Sequence, residues 1–195
     1  MTLSEFNQLY VPSIQIILAT LGLFSLIFMA FQIRQTRMWN RANSTYALHS
    51  NEHHIKLEQK LHDAFTSHGI DLFELNKLEE KHFNLIKEKE DIKFALIDYL
   101  NYLELYCSGV SFCALDENLA YSFHSDEIVA AWILFEPYIT QVYRKAADDY
   151  DLFVELEKVA TRWDIKNQMI QEKRKRKIAK ETKKVLDSRG LKPSL

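Results

Sequence analysis

Four histidines lie close together in the first third of the sequence, and their spacing could support chemistry. His49 and His53 are four residues apart, so on a helix both imidazoles would lie on one face, as a metal site requires. His54 and His62 follow closely. No acid or Cys completes a tetrahedral ligand set at a fixed offset, so we predict neither a metal nor any other cofactor. Solvated or interfacial histidines are one alternative, and a pH or ligand sensor is another, because histidine titrates near neutrality.

A second set of polar residues recurs at three- and four-residue steps in an otherwise apolar pattern. Asn101, Glu104, Ser108 and Ser111 would form one polar line on a central helix, and Arg144 is the predicted partner of Glu104. Two interpretations stay open: a structural polar network that fixes helix register, or a ligand pocket inside a helical bundle. Three tyrosines on the same helix could line such a pocket: Tyr99, Tyr102 and Tyr106.

Sequence motifs of common enzymes are absent. There is no glycine-rich phosphate loop, no G-x-S-x-G turn and no H-E-x-x-H helix. We therefore predict that the protein is not an enzyme and has no catalytic residues. The two cysteines, Cys107 and Cys113, have neither zinc-site nor redox-pair spacing, and we expect both to be buried free thiols.

The charges divide the chain into an acidic body and a basic end. Residues 49–165 carry 11 basic and 23 acidic side chains, whereas residues 166–195 carry 11 basic and three acidic ones. The basic run could bind anionic lipid headgroups, the phosphates of a nucleic acid, or the acidic body of a neighbouring subunit. A merely solvated tail is the fourth alternative. The run consists of Lys173, Arg174, Lys175, Arg176 and Lys177.

The element that must position all of these residues is an uncharged segment near the N-terminus, residues 11–33. No charged side chain occurs between Glu5 and Arg34. A membrane core about 30 Å thick needs about 20 helical residues, so this segment predicts a single transmembrane helix. The alternative is the buried core helix of a soluble protein. Basic residues follow the segment, which predicts an external N-terminus and a cytoplasmic domain.

One face of this predicted transmembrane helix carries small and polar residues. Gln15, Ala19 and Gly22 fall on a common face at steps of four and three. Small residues allow helices to approach closely, and a Gln in hydrocarbon favours a partner across the interface. Four or more copies with Gln15 and Ser25 turned inward could line a narrow pore. Simple dimerisation is the alternative.

Beyond the transmembrane helix, helical spacing and the scarcity of glycine and proline predict an all-α protein. We expect a continuous stalk helix that Gly69 terminates, close helix packing at Gly109, a new helix capped by Ser125, and a kink or helix start at Pro137. The predicted divisions are an external N-terminus (1–10), a transmembrane helix (11–33), a juxtamembrane stalk (34–68), a helical bundle (69–165) and a basic tail (166–195).

Scattered positions of the bundle and the juxtamembrane segment form a recognisable pattern. They are Trp39-Asn-Arg41, Asp98, Asn101, Glu104, Gly109-Val, Leu115-Asp-Glu117, Trp132, Pro137-Tyr-Ile139 and Arg144. The chain resembles, over about residues 9–163, a large family of bacterial single-span proteins of unknown function, often encoded in phage-defence islands. The resemblance implies a helical module anchored in the bacterial inner (cell) membrane. Some proteins of similar layout act as membrane effectors in abortive antiviral defence.

These observations favour a homo-oligomeric membrane effector. Its cytosolic domain would sense a ligand or partner, and its transmembrane helices would form a pore or disrupt the membrane. One alternative is a membrane tether that recruits a cytosolic partner, and another is a nucleic-acid-responsive receptor. The predicted partners are membrane lipid, further copies of the chain, a cytosolic protein encoded nearby, and an anionic ligand such as a nucleotide or nucleic acid.

Overall fold

The protein is helical throughout the part that its computed structural model describes, residues 3–145 and 151–188. This part contains no β-strand, which confirms the predicted all-α class. The elements are α1 (Leu3–His49), α2 (His53–Thr66), a 3₁₀ turn (Leu72–Glu74), α3 (Glu80–Glu88), α4 (Glu90–Ser111), α5 (Glu117–Tyr138), a π-helical segment (Ile139–Arg144) and α6 (Val154–Ser188).

Helix α1 is 47 residues long and would extend about 70 Å. Its apolar segment reaches a mean hydropathy of 2.3 and is not buried against the rest of the protein. This helix is therefore long and apolar enough to cross a membrane. The helix does not end where the apolar segment ends. It continues through the arginines that follow and reaches the bundle, because no glycine or proline interrupts it after Gly22.

The predicted continuous stalk is wrong at one point, because the helix breaks between α1 and α2. The cause is local competition at Asn51, whose side-chain Oδ1 accepts the backbone N–H of His53 at 3.1 Å. Helix α2 then packs against α4 and buries Leu61 and Phe65. Residues 53–66 therefore pack as part of the bundle and do not extend the stalk.

Gly69 lies just beyond α2, as the predicted terminator of that helix should. Its φ angle is +78°, a conformation that costs an L side chain free energy, and its N–H donates to the Thr66 carbonyl at 2.9 Å. The helix itself ends slightly earlier, at Thr66.

Helix α4 is the centre of the bundle and packs against α2, α3, α5 and α6. Apolar side chains recur along α4 at three- and four-residue steps and are buried: Ile92, Leu96, Leu100, Leu103, Cys107 and Val110. Cys107 is a buried free thiol, which confirms that prediction, and burial raises its pKa well above the usual value. Cys113 is exposed, which contradicts the prediction for it, because α4 ends at Ser111 and the chain turns outward there.

Gly109 makes a close contact, although not with a neighbouring helix. A Cβ atom at Gly109 would lie 3.0 Å from the Leu115 side chain. The Gly109 carbonyl also accepts the N–H groups of Ala114 and Leu115, each at 2.9 Å. The glycine therefore permits the tight turn between α4 and α5.

Helix α5 is longer than predicted. It begins with Asp116 as N-cap, whose carboxylate accepts two backbone N–H groups at 3.0 Å, and it passes Ser125 without a break. The predicted helix start at Ser125 is wrong because burial of the flanking His124 and Ile128 outweighs the capping preference of serine. Close to Pro137 the helix does change, to π-helical geometry from Ile139.

The predicted basic tail is helical where it is described, since α6 continues from the bundle to Ser188. Its first part packs through Trp163, and Lys166 and Asn167 contact Tyr121. From residue 168 to residue 182 the side chains of this helix are largely exposed. Gly190 and Pro193, whose residue types predict a disordered end of the basic tail, lie outside the described residues.

Candidate functional site

Three histidines from three different helices meet where α1 ends. His49 is the last residue of α1, His54 lies in the first turn of α2, and His124 lies on α5. The Nδ1 atom of His49 is 3.2 Å from Nε2 of His124, and the ring centroids of His54 and His124 are 5.2 Å apart. We call His49, His54 and His124 the histidine cluster.

The membership of the histidine cluster differs from the sequence prediction. His53, expected to share a face with His49, is exposed and packs edge-on to Tyr102. His124, which the sequence spacing did not indicate, is 75 residues from its neighbour His49. Within residues 3–145 and 151–188, no group of three or more His, Cys, Asp or Glu side chains is arranged to hold a metal ion.

Contacts around the histidine cluster dock the end of α1 onto α5. The rings of His49 and Phe123 stack at 4.1 Å between centroids, with 11° between their planes. One turn earlier, the fully buried Thr45 hydroxyl accepts the backbone N–H of Asp116 at 2.9 Å. The helix that carries the apolar segment is therefore joined to the bundle through specific contacts.

The charge state of the histidine cluster depends on its surroundings. Desolvation lowers the pKa of His49 below 6.5, and the neighbouring His124 and His54 lower it further. Glu127 acts in the opposite direction with a smaller effect. Tyr106 from α4 also packs against His124, at 5.0 Å between ring centroids. The packed arrangement thus favours a neutral His49.

We expect the stability of the protein to fall as the pH is lowered below about 6.5. The folded pKa of His49 lies below its unfolded value of 6.5. Between these two pKa values the unfolded chain binds the proton more readily than the folded chain, so protonation favours unfolding. His82 shifts in the same direction. Thermal unfolding of the full chain between pH 8 and pH 5 measures the slope. His49→Gln should reduce the slope, and the exposed His53→Gln should not. Equal slopes for the two variants would contradict this assignment.

Glu127 connects the histidine cluster to a cavity. One carboxylate oxygen, Oε2, lies 2.7 Å from Nδ1 of His124, and the other accepts the Tyr99 hydroxyl at 3.3 Å. Glu127 also lines a cavity of about 420 Å³ among α2, α4, α5 and the 3₁₀ turn. This volume lies in the range of small-molecule sites.

The cavity has an apolar body and a few polar groups. Its polar lining comprises Glu58, His62, Asn76, Tyr99 and Glu127. Its apolar lining comprises Leu61, Leu72, Phe73, Leu75, Ala130, Ala131, Ile133, Leu134 and Phe135. The Nδ1 atom of His62 is buried without a hydrogen-bond partner. This combination of apolar surface and convergent polar groups is typical of a ligand site.

The predicted polar network on α4 is not assembled as expected. Glu104 does not pair with Arg144, because its carboxylate accepts the backbone N–H groups of Glu155 and Leu156 at 3.1 and 2.7 Å. Asn101 is exposed. Neither Asn101, Glu104 nor Arg144 lines the 420 Å³ cavity, and the same holds for Ser108. Of the three tyrosines considered for a pocket, Tyr99 lines it.

Arg144 instead holds the chain just before α6. Its Nε donates to the Leu152 carbonyl at 2.9 Å, and a terminal nitrogen donates to Glu157 at 2.7 Å. The guanidinium also lies over the Trp132 ring, 5.9 Å from its centroid. Glu104 and Arg144 thus both fix the first turn of α6, from two different elements, which is a structural role.

The remaining predicted residues lie on exposed helix surfaces. Gln15, Ala19, Gly22 and Ser25 are exposed on α1, and a Cβ atom added to Gly22 would meet nothing within 4 Å. The basic run on α6 is exposed as well: Lys173, Arg174, Lys175, Arg176 and Lys177.

The sequence does contain a signal for His124 and Glu127, the two site residues that were not predicted. His124 and Glu127 are three residues apart, so an unbroken helix places both on one face. This pair was not predicted because the capping preference of Ser125 indicated a helix start at that residue. Such a helix start would place His124 and Glu127 in different elements.

Comparison with known protein families identifies a similarity over most of the chain. The family model described as a domain of unknown function (DUF4760) matches residues 14–163. No curated protein and no solved structure matches the chain.

Proposed function

The chain belongs to the family described as a domain of unknown function (DUF4760), and we propose that it is a homo-oligomeric membrane effector. Its helical bundle binds a ligand or partner, and its N-terminal helices then form a pore or disrupt the membrane. The observation that carries the proposal is the continuity of α1, which runs from the apolar segment to the histidine cluster without interruption. No catalytic step is part of it.

A chain of direct contacts supports the coupling between the bundle and α1. The cavity is lined by Glu127, Glu127 binds His124, and His124 contacts His49 at the end of α1. A ligand that binds differently in two arrangements of this chain shifts their populations by its differential affinity. A long helix transmits such a change as a rigid element.

The face formed by Gln15, Ala19 and Gly22 supports assembly of the N-terminal helices. These residues are exposed in the single chain, and the open space at Gly22 leaves room for a neighbouring helix. Small residues and a polar side chain on one face favour helix association in lipid. With Gln15 and Ser25 turned toward the centre of an oligomer, their polar groups line a narrow pore.

The proposed setting is the bacterial inner membrane. Arg34, Arg37 and Arg41 follow the apolar segment, which favours an external N-terminus and a cytoplasmic bundle. A role in antiviral defence and a cytosolic partner encoded nearby are part of the same proposal, supported by the resemblance to effectors of similar layout. The exposed basic run provides a surface for anionic lipid or another anionic partner.

We expect induced expression of the full chain to depolarise bacterial cells, measured with a membrane-potential dye. The triple variant Gln15→Leu, Ala19→Leu and Gly22→Leu should lose this activity, because it removes the small and polar face while keeping the helix apolar. Membrane insertion of each variant is verified by fractionation, so that loss of depolarisation is not loss of protein.

A matched control replaces three residues on the opposite face, Ile17→Leu, Phe24→Leu and Phe31→Leu, and should retain depolarisation. The pore proposal is wrong if the wild-type chain never depolarises cells, or if the first triple variant is as active as this control. Full biological activity with an unrelated membrane helix in place of residues 1–33 would instead favour the tether.

A further inference from the structure

The charges that line the 420 Å³ cavity are of one sign. Glu58 from α2 and Glu127 from α5 both line it, and the lining residues that the structure describes include no Lys or Arg. The Oε2 atom of Glu127 lies within hydrogen-bond distance of Nδ1 of His124. Glu58 forms no hydrogen bond or ion pair with any described residue. The carboxylate of Glu58 therefore has no Lys or Arg partner in the cavity, and the basic side chains that act on it are His54 and His62.

The rest of the cavity suits an apolar group. Leucine, isoleucine, alanine and phenylalanine side chains form most of its wall. Phe73, on the 3₁₀ turn, lines the cavity although 78% of its surface is exposed. The centroid of its ring lies 4.8 Å from the ring centroid of His62. An exposed aromatic face at the mouth of an acidic cavity favours cations over anions.

We propose that this cavity binds an organic cation with an apolar body, whose ammonium group lies between the carboxylates of Glu58 and Glu127. The apolar body occupies the wall formed by α5 and the 3₁₀ turn. A nucleotide or another anion does not fit this chemistry, so an anionic partner of this protein would bind at the basic run on α6.

The proposal deepens the proposed function, and its consequence for the membrane rests on that function. An ammonium group beside Glu127 competes with His124 for the same carboxylate. His124 contacts His49, so a change at Glu127 is passed to the last residue of α1. Binding of a cation thus becomes a signal at the end of the N-terminal helix.

The electrostatic environment of Glu58 is consistent with a site for a cation. Partial burial raises the pKa of Glu58 and the nearby Glu127 raises it further, against smaller opposing effects of His54 and His62. Because the folded pKa lies above the unfolded value, the stability of the ligand-free protein falls as the pH rises from the unfolded pKa through the folded pKa of Glu58. Glu58→Gln should therefore not destabilise the ligand-free protein at pH 7, whereas removing a structural carboxylate would.

Three probes that share a phenyl ring and differ in the charge of their polar group test the class of ligand. They are 2-phenylethylamine, 2-phenylethanol and phenylacetate, titrated into the purified full chain in nonionic detergent and measured by calorimetry. We expect the amine to bind at least about tenfold more tightly than the alcohol, and the acid not to bind. Equal binding of amine and alcohol, binding of the acid, or no binding of the amine would overturn the proposal.

Two variants locate the site. Glu58→Gln should weaken binding of the amine about tenfold without lowering the melting temperature of the ligand-free protein. The control Glu90→Gln changes an exposed acid at the start of α4, outside the cavity lining, and should leave the amine affinity unchanged. Equal effects of the two variants would place the amine elsewhere and refute the site.

The binding experiment and the membrane experiment fail independently. If the amine binds as expected and cells are not depolarised, the cavity proposal stands and the pore proposal is wrong. If cells are depolarised and the amine does not bind, the pore proposal stands and the cavity proposal is wrong.

Discussion

Replacing Trp163 with Ala is expected to lower the free energy of unfolding of the helical bundle by about 3–5 kcal/mol. Trp163 lies on α6 and is fully buried, and its ring packs edge-on against Tyr121 of α5 at 5.5 Å. Its Nε1–H donates to Glu117 at 3.2 Å. The substitution would leave a large cavity and remove a hydrogen bond between the two helices.

The measurement is urea unfolding of the full chain in nonionic detergent, followed by far-ultraviolet circular dichroism. Trp163→Phe should cost less than Trp163→Ala, because the ring volume is largely kept and only the indole hydrogen bond is lost. The control is Ile165→Ala, an exposed position on the same helix, with an expected change within about 0.5 kcal/mol. A small effect of Trp163→Ala would contradict the packing of α6 on α5.

Replacing Glu104 with Ala is expected to lower the free energy of unfolding by about 2–3 kcal/mol. The Glu104 carboxylate caps the first turn of α6 by accepting two backbone N–H groups. A negative charge at a helix N-terminus also interacts favourably with the helix dipole. The alanine variant would remove both hydrogen bonds and leave the N–H groups without this partner.

Glu104→Gln separates the effect of charge from that of hydrogen bonding. Its amide oxygen can accept one of the two N–H groups, so we expect an effect between those of wild type and Glu104→Ala in the same urea experiment. Asn101→Ala is the control, because Asn101 is exposed one turn earlier on α4. A large effect of Asn101→Ala, or none of Glu104→Ala, would favour the polar network that the sequence predicted.

The sequence by itself determined the features that depend on local spacing and composition. An uncharged segment of residues 11–33 gave a helix long and apolar enough to cross a membrane. The apolar repeat of α4 identified its buried face, and Gly69 marked the loop after α2. These features follow from hydropathy and backbone preference, which act over a few residues.

Only the tertiary structure decided which polar residues meet. His49 meets His124, and Glu127 joins the histidine cluster to the cavity. Glu104 binds backbone N–H groups at the start of α6 and does not pair with Arg144. Helical spacing relates residues three or four positions apart, whereas these partners are separated by up to 75 residues and are brought together by helix packing. Packing also overrode the local capping signal at Ser125, which joined His124 and Glu127 on one helix face.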